Sequence, residues 1–170
     1  MSTLDGLINT PALAIQYDRA KLDPNEDSAT GLWDRLLNIH FDANSWIVTP
    51  QKRQEGGQRP DFIIERIWQN STVIEVVVIE AKPQHQTMSQ DHQADMQVFE
   101  YAMNSLHAGQ QKGQKKIYAL RVVGVHIMAY RVLVNEGQLT PMVSDYLDPK
   151  RDSGALLQVF NTIKGANVFD

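Results

Sequence analysis

Two consecutive β-rich segments constrain the fold of this chain more than any other feature. Residues 61–67 and 73–82 are rich in Ile and Val, and the short segment 68–72 between them is typical of a hairpin turn. Both segments are apolar at odd and even positions. We therefore expect them to form central strands of a sheet that is covered on both faces.

The register of this hairpin decides which charged side chains meet. Antiparallel pairs have a constant sum of residue numbers, so a turn centred on 70–71 places Arg66 opposite Glu75, a favourable pair of opposite charges. The same register places Asp61 opposite Glu80. A pair of like charges destabilises a sheet unless something else compensates it. The sequence thus predicts two carboxylates side by side at the open end of the hairpin.

Helical and strand periodicities predict the remaining elements. In chain order these are a helix at 25–41, a strand at 46–49, the hairpin, a helix at 89–106, strands at 117–123 and 125–134, and a helix at 152–164. This order predicts an α/β fold with a mixed central sheet flanked by helices. We expect one domain over 1–170, with a core at 25–134, an N-terminal arm at 1–24 and a C-terminal loop and helix at 135–170.

Three charged residues at the ends of the hairpin strands have the chemistry of a metal site. Mg²⁺ prefers carboxylate oxygens and usually binds one or two of them together with water and substrate phosphate. Asp61 and Glu80 supply such a pair. Because Glu80 and Lys82 are two positions apart on one strand, both side chains leave the same face, and the Lys82 ammonium can assist an attacking water.

These residues, Pro60-Asp61 followed by Glu80-Ala81-Lys82, resemble the motif of the PD-(D/E)XK phosphodiesterase superfamily, which has the restriction-endonuclease-like fold. The resemblance covers roughly 25–134 and includes the order of the elements. It implies a nuclease that depends on Mg²⁺ or Mn²⁺, with Asp61 and Glu80 as metal ligands and Lys82 as a catalytic residue. The superfamily also has inactive members.

The helices extend this resemblance. Gln97 and Tyr101 match the Gln-x-x-x-Tyr motif of RecB-type nucleases, which implies a role for both in the site, and a helix-surface role is an equal alternative. Family members often place a Glu of the first helix near the metal, and we expect Glu26 to be this third ligand, with Asp34 as its competitor. His40 is a ligand in the manner of cap-snatching endonucleases or, as we favour, a boundary residue of the core.

Composition narrows the class of protein further. The 170-residue chain contains no Cys, which excludes disulfides, thiolate zinc sites and cysteine nucleophiles. Its 42% hydrophobic and 21% charged residues are ordinary for a globular domain. No apolar run is long enough to cross a bilayer, and the start of the chain does not resemble a signal peptide, so we expect an intracellular protein of the cytoplasm or nucleus.

The net charge of −4 argues against a broad basic surface, but two local basic zones stand out. These zones are loops that could guide a phosphate backbone towards the site. Their basic residues are Lys52, Arg53 and Arg59 in the first loop and Lys112, Lys115 and Lys116 in the second. Solvent-facing loops without a ligand are the simpler alternative, and charge alone favours it.

We therefore predict a metal-dependent nuclease that acts on nucleic acid, DNA rather than RNA, at the Asp61, Glu80 and Lys82 site. The alternative is an inactive nuclease-fold module that binds nucleic acid or a protein partner. A homodimer or a larger complex is compatible with either function, and a membrane partner is not expected. No base-reading motif is visible, so no sequence specificity is predicted.

Overall fold

A computed structural model describes residues 3–84 and 88–170 of the protein. The polar loop that we predict after Pro83 includes residues 85–87, which lie outside the described residues. No helix in the described part of the chain is long and apolar enough to cross a membrane.

The described residues form four α-helices, a short 3-10 helix at Gln110–Lys112 and six strands. In chain order the α-helices and strands are α1 (Pro11–Leu22), α2 (Asp27–His40), β1 (Trp46–Pro50), β2 (Phe62–Ile67), β3 (Val73–Lys82), α3 (Met88–Gly109), β4 (Lys116–Val123), β5 (His126–Leu133), β6 (Thr140–Pro141) and α4 (Ser153–Gly165). The predicted first helix begins two residues later than expected, so that Glu26 rather than Asn25 is its N-cap, and Glu26 makes no side-chain cap hydrogen bond.

The strands form one sheet in the order β1-β2-β3-β4-β5-β6. The first three strands are an antiparallel meander, and β3 pairs in parallel with β4 through the α3 crossover. Strands β4, β5 and β6 are again antiparallel. This arrangement confirms the predicted α/β class with a mixed central sheet flanked by helices.

Each face of the sheet has its own apolar core. One face packs against α3, where Val98, Ala102 and Leu106 contact sheet residues such as Val78. The other face packs against α1, α2 and α4, with Trp33 of α2 and Phe160 of α4 fully buried. Helices cover both faces, and most positions of β2 and β3 are apolar, as the sequence predicts for central strands.

A β-bulge corrects the predicted hairpin register. From the open end inwards, Phe62 pairs with Ile79 and Ile64 with Val77, as predicted, but the register shifts by one after Ile64. Glu65 therefore faces Glu75, and the predicted pairing of Arg66 with Glu75 is wrong. The extra residue of a bulge cannot be read from a symmetric turn count, because it lies inside the ladder.

Candidate active site

The open end of the β2–β3 hairpin brings the predicted carboxylates together. Asp61 directly precedes β2, and its Oδ2 accepts a hydrogen bond of 2.7 Å from the backbone N–H of Ala81 on β3. Its Oδ1 accepts a bond of 2.8 Å from Gln51 Nε2. Neutral donors thus fix both oxygens of Asp61 next to β3, where Glu80 is only 4% exposed.

The Lys82 ammonium lies against Glu80, as strand alternation predicts. Its Nζ is 2.8 Å from Glu80 Oε1, and the two side chains point to the same face of the sheet. Asp61 forms no such ion pair with any residue in the described part of the chain. The pair of carboxylates and the single ammonium therefore retain one excess negative charge in a buried place.

The electrostatics of Glu80 reflect this excess. Burial, and then repulsion from Asp61, raise the pKa of Glu80 to about 7, while Lys82 and Arg121 act in the opposite direction. A buried carboxylate beside another carboxylate holds its proton because ionisation would add charge to a poorly solvated region. Such shifts are frequent at functional sites.

The predicted Gln/Tyr pair of α3 lies next to these carboxylates. Gln97 Nε2 donates a hydrogen bond of 2.6 Å to the Tyr101 hydroxyl. Burial, and then the negative charge of Glu80, raise the pKa of Tyr101, while the bond from Gln97 opposes this shift. The helix that covers this face of the sheet thus brings a polar pair to the site, and its role there stays a prediction.

Glu26, at the start of α2, lies close enough to Asp61 and Lys82 to interact with their charges. Although the residue is largely exposed, partial burial raises the pKa of its carboxyl, repulsion from Asp61 adds to the shift, and Lys82 opposes it. Across residues 3–84 and 88–170, no three Asp, Glu or His side chains are close enough together to hold one metal ion. The role of Glu26 as a ligand therefore stays a prediction.

The donor set at Asp61 and Glu80 suits a hard divalent cation. Both groups are carboxylates, they come from adjacent strands, and no neighbouring base neutralises Asp61. Mg²⁺ and Mn²⁺ favour oxygen ligands and take part of their shell from water or phosphate, so a pair of protein carboxylates is sufficient. The high pKa of Glu80 is the physical sign that a cation would relieve strain here.

The other two candidates of this helix, His40 and Asp34, make contacts of their own. His40 is at the far end of the 14-residue helix α2, about 21 Å along its axis from Glu26. Its ring packs 5.3 Å from that of Phe160, and burial lowers its pKa. Asp34 accepts a hydrogen bond from Asn38 on its own helix. The favoured packing role of His40 agrees with this placement.

The first basic loop runs from β1 to the site along α3. Gln54 anchors it by donating bonds of 2.8 Å to the Tyr101 carbonyl and 2.7 Å to Ser105 Oγ. Arg53 and Arg59 are exposed, and Arg59 directly precedes Pro60-Asp61. Their role in guiding a phosphate backbone towards the carboxylates stays a prediction.

Lys52 of the same loop forms ion pairs within the protein. Its Nζ lies 3.1 Å from both Glu65 Oε1 and Glu75 Oε2. It therefore neutralises the like-charge pair that the bulge creates. This use was not foreseen from the sequence, because the uncorrected register gives Glu75 an arginine partner.

The second basic loop lies at the opposite end of the sheet. Lys116 starts β4, and Arg121, five positions further on, pairs with Glu80 of β3. At 3.3 Å per residue, this loop is roughly 16 Å from the carboxylates. Lys112 and Lys115 are exposed there, and Lys112 Nζ donates to the Val73 carbonyl.

Arg121 is the charged residue that the sequence analysis missed. It is fully buried, its Nε is 3.0 Å from Asp95 Oδ1, and its Nη1 donates to the Glu80 carbonyl. Asp91 lies 3.6 Å from its Nη2. The signals were present: Arg121 stands inside an apolar strand, and the two acids are four positions apart on one helix face.

Comparisons with known proteins support the fold and do not test the roles of the individual site residues. No protein-family profile matches the chain. No curated protein matches it either. Among solved structures, a chain of the DrdV–DNA complex, determined by electron cryomicroscopy, superposes with a TM-score of 0.53 at 14% sequence identity, covering 90% of this chain and 93% of that chain. With the six-stranded mixed sheet, this likeness confirms the predicted restriction-endonuclease-like fold.

Proposed function

We propose that this protein is a nuclease that depends on Mg²⁺ or Mn²⁺ and hydrolyses phosphodiester bonds of DNA. One observation carries the proposal: two buried carboxylates, Asp61 and Glu80, meet at a strand end with the Lys82 ammonium 2.8 Å from Glu80 Oε1. This is the combination of donors and positive charge that phosphodiester hydrolysis needs.

Asp61 and Glu80 would hold the cation, which supplies Lewis-acid polarisation of the phosphate and a more acidic water. The bonds from Gln51 and Ala81 orient Asp61 before a substrate arrives, so little reorganisation is needed. Once Glu80 is engaged, the Lys82 ammonium is available to orient the attacking water. It also stabilises the negative charge that develops on the phosphorus-bound oxygens.

DNA is favoured as the substrate class by two observations. The structurally similar chain belongs to a complex with DNA. The exposed Arg53 and Arg59 also lie in the loop that leads directly to Asp61, where they can contact backbone phosphates.

Cleavage assays with supercoiled plasmid, linear duplex, single-stranded DNA and RNA test this proposal, each with Mg²⁺, Mn²⁺, Ca²⁺ or EDTA. We expect cleavage of DNA with Mg²⁺ or Mn²⁺ and none in EDTA. Lys82→Ala should lose at least about a hundredfold in rate while metal binding is retained, because Lys82 is not a ligand. Lys21→Ala removes the same charge from an exposed position on α1, and this control should retain the rate of the folded wild type. Full activity of Lys82→Ala would remove this residue from the mechanism.

An inactive nucleic-acid-binding or partner-binding module is the second candidate. The net charge of −4 and the internal ion pair of Lys82 with Glu80 favour it, because the chain itself already satisfies part of the site. The same assays separate the two candidates. Metal-independent DNA binding without cleavage of any of these substrates would support the module and overturn the nuclease.

A further inference from the structure

A second polar pocket lies on the opposite face of the sheet from Asp61 and Glu80. It has a volume of about 390 Å³ and is enclosed between β4, β5, β6 and α4. Tyr118 of β4 and Arg131 of β5 are direct cross-strand partners, and both line the pocket. Side chains that are opposite on one face of an antiparallel pair are neighbours, so both polar groups approach the same space.

The polar groups of this pair lack partners in the described part of the chain. The buried Arg131 Nε–H donates to no described residue, and the guanidinium forms no ion pair with one. Tyr118 is only 4% exposed, and no described residue bonds to its hydroxyl. A buried donor without a partner is costly, and most such donors in proteins are satisfied by a residue, a water or a bound group.

The charge of the pocket indicates which class of ligand it would bind. Its lining residues include no Asp or Glu, so the Arg131 charge is uncompensated inside it. Glu136 is not among the lining residues, and it accepts a bond of 3.4 Å from Thr140, which is one of them. The rest of the lining includes apolar side chains of Met142, Val143 and Val159.

We propose that this pocket binds a small organic anion, a carboxylate or phosphate carried on an apolar body. The Arg131 fork donates to two oxygens of the anion, the Tyr118 hydroxyl donates to one of them, and the apolar side chains cover the body. The sheet separates this pocket from the carboxylate site. The proposal is therefore independent of the nuclease function.

Calorimetric and NMR titrations of the full chain with benzoate, phenyl phosphate and the neutral benzamide test the proposal. We expect at least one anion to bind, and benzamide to bind at least about tenfold more weakly, since it lacks the charge that Arg131 recognises. The stronger of the two anions tells a carboxylate ligand from a phosphate ligand. Absence of binding of both anions at millimolar concentration, or equal binding of benzamide, would overturn the proposal.

Variants locate the binding. Arg131→Gln should weaken the preferred anion at least about tenfold, and Tyr118→Phe should weaken it less. Arg19→Gln removes the same charge from an exposed position on α1 and should leave the affinity unchanged. If Arg131→Gln does not fold, Ala155→Trp at the exposed edge of the pocket should block binding by filling it. Unchanged affinity in Ala155→Trp and in any folded Arg131→Gln would contradict the assignment.

Discussion

The same hairpin contains two pairs of facing carboxylates, and the chain treats them differently. Glu65 and Glu75 share one ammonium, because Lys52 Nζ is 3.1 Å from each of them. At the open end, Lys82 reaches only Glu80, and Asp61 has neutral donors alone. We call Glu65 and Glu75 the closed pair, because Lys52 neutralises their charge within the protein. We call Asp61 and Glu80 the open pair, and we propose that a divalent cation neutralises it.

The titration behaviour of the two pairs follows from this difference. Burial alone would lower the pKa of Lys52, but its bond to Glu65 and the charge of Glu75 raise it, so this lysine stays charged in its role as a bridge. At the other pair it is the carboxyl that is perturbed, since burial and Asp61 raise the pKa of Glu80 to about 7. A like-charge pair with a shared counter-ion is a structural feature. A buried carboxyl group with a raised pKa is frequent at functional sites, and this supports the proposal that the open pair binds a cation.

The largest expected effect is the pH dependence that Glu80 gives to the free energy of unfolding. Between pH 4.5 and 7 the metal-free folded protein holds the Glu80 proton more tightly than the unfolded chain, so the contribution of Glu80 to stability is complete below pH 4.5 and is lost as pH rises to about 7. The loss from Glu80 alone should be about 3 kcal/mol.

Glu80→Gln removes this contribution, and its stability should depend less on pH over the same range. Chemical denaturation in EDTA at several pH values measures the difference. That difference isolates Glu80 from Glu26 and Asp91, whose pKa values burial also raises. Parallel pH profiles of wild type and variant would show that Glu80 titrates normally.

A smaller effect on stability is expected when the Lys52 bridge of the closed pair is removed. Lys52→Met should destabilise the protein by about 1–3 kcal/mol at neutral pH, since it leaves Glu65 and Glu75 facing each other without a counter-ion. Lys115→Met, at an exposed position, should cost less than about 0.5 kcal/mol. Urea unfolding of both variants provides the comparison. Equal stability of the two would mean that Lys52 is not a structural bridge.

The smallest effect concerns the two basic loops. Arg53→Gln with Arg59→Gln should weaken DNA binding and reduce its salt slope by about 1–2, because both residues flank the site. Lys115→Gln with Lys116→Gln changes the net charge equally but lies at the other end of β4, so a smaller loss is expected. Fluorescence anisotropy over a range of salt concentrations measures both. A larger loss in the lysine variant would place the DNA path at the far end of the sheet.

The comparison of the two pairs also shows what the sequence could predict. The open-end register followed from Ile and Val patterning and from the position of the turn, and with it the meeting of Asp61 and Glu80. The closed pair did not, because a single bulge after Ile64 changes which residues face each other. Local patterns determine which segments are strands, whereas a bulge depends on how the hairpin packs against both layers of helices.

The burial of a charged residue was the second feature that the sequence did not predict. Arg121 follows the second basic loop closely in sequence, yet it lies in the core, where it contacts Asp95 and pairs with Glu80 of β3. Periodicity describes apolar residues well, but it cannot tell a charged residue that is paired in the interior from one in water. The partner comes from another element, α3, which is distant in sequence.

Thermal unfolding with and without divalent cations tests most directly whether the open pair is a metal site. Wild type should gain about 5–10 °C in Tm at a hundredfold excess of Mg²⁺, Mn²⁺ or Ca²⁺ over its Kd. Glu80→Gln should melt at least as high as wild type in EDTA and gain much less from the cation. Glu65→Gln, the same change in the closed pair, should keep the full gain. Equal metal-induced shifts in wild type and Glu80→Gln, or no shift in either, would contradict the account.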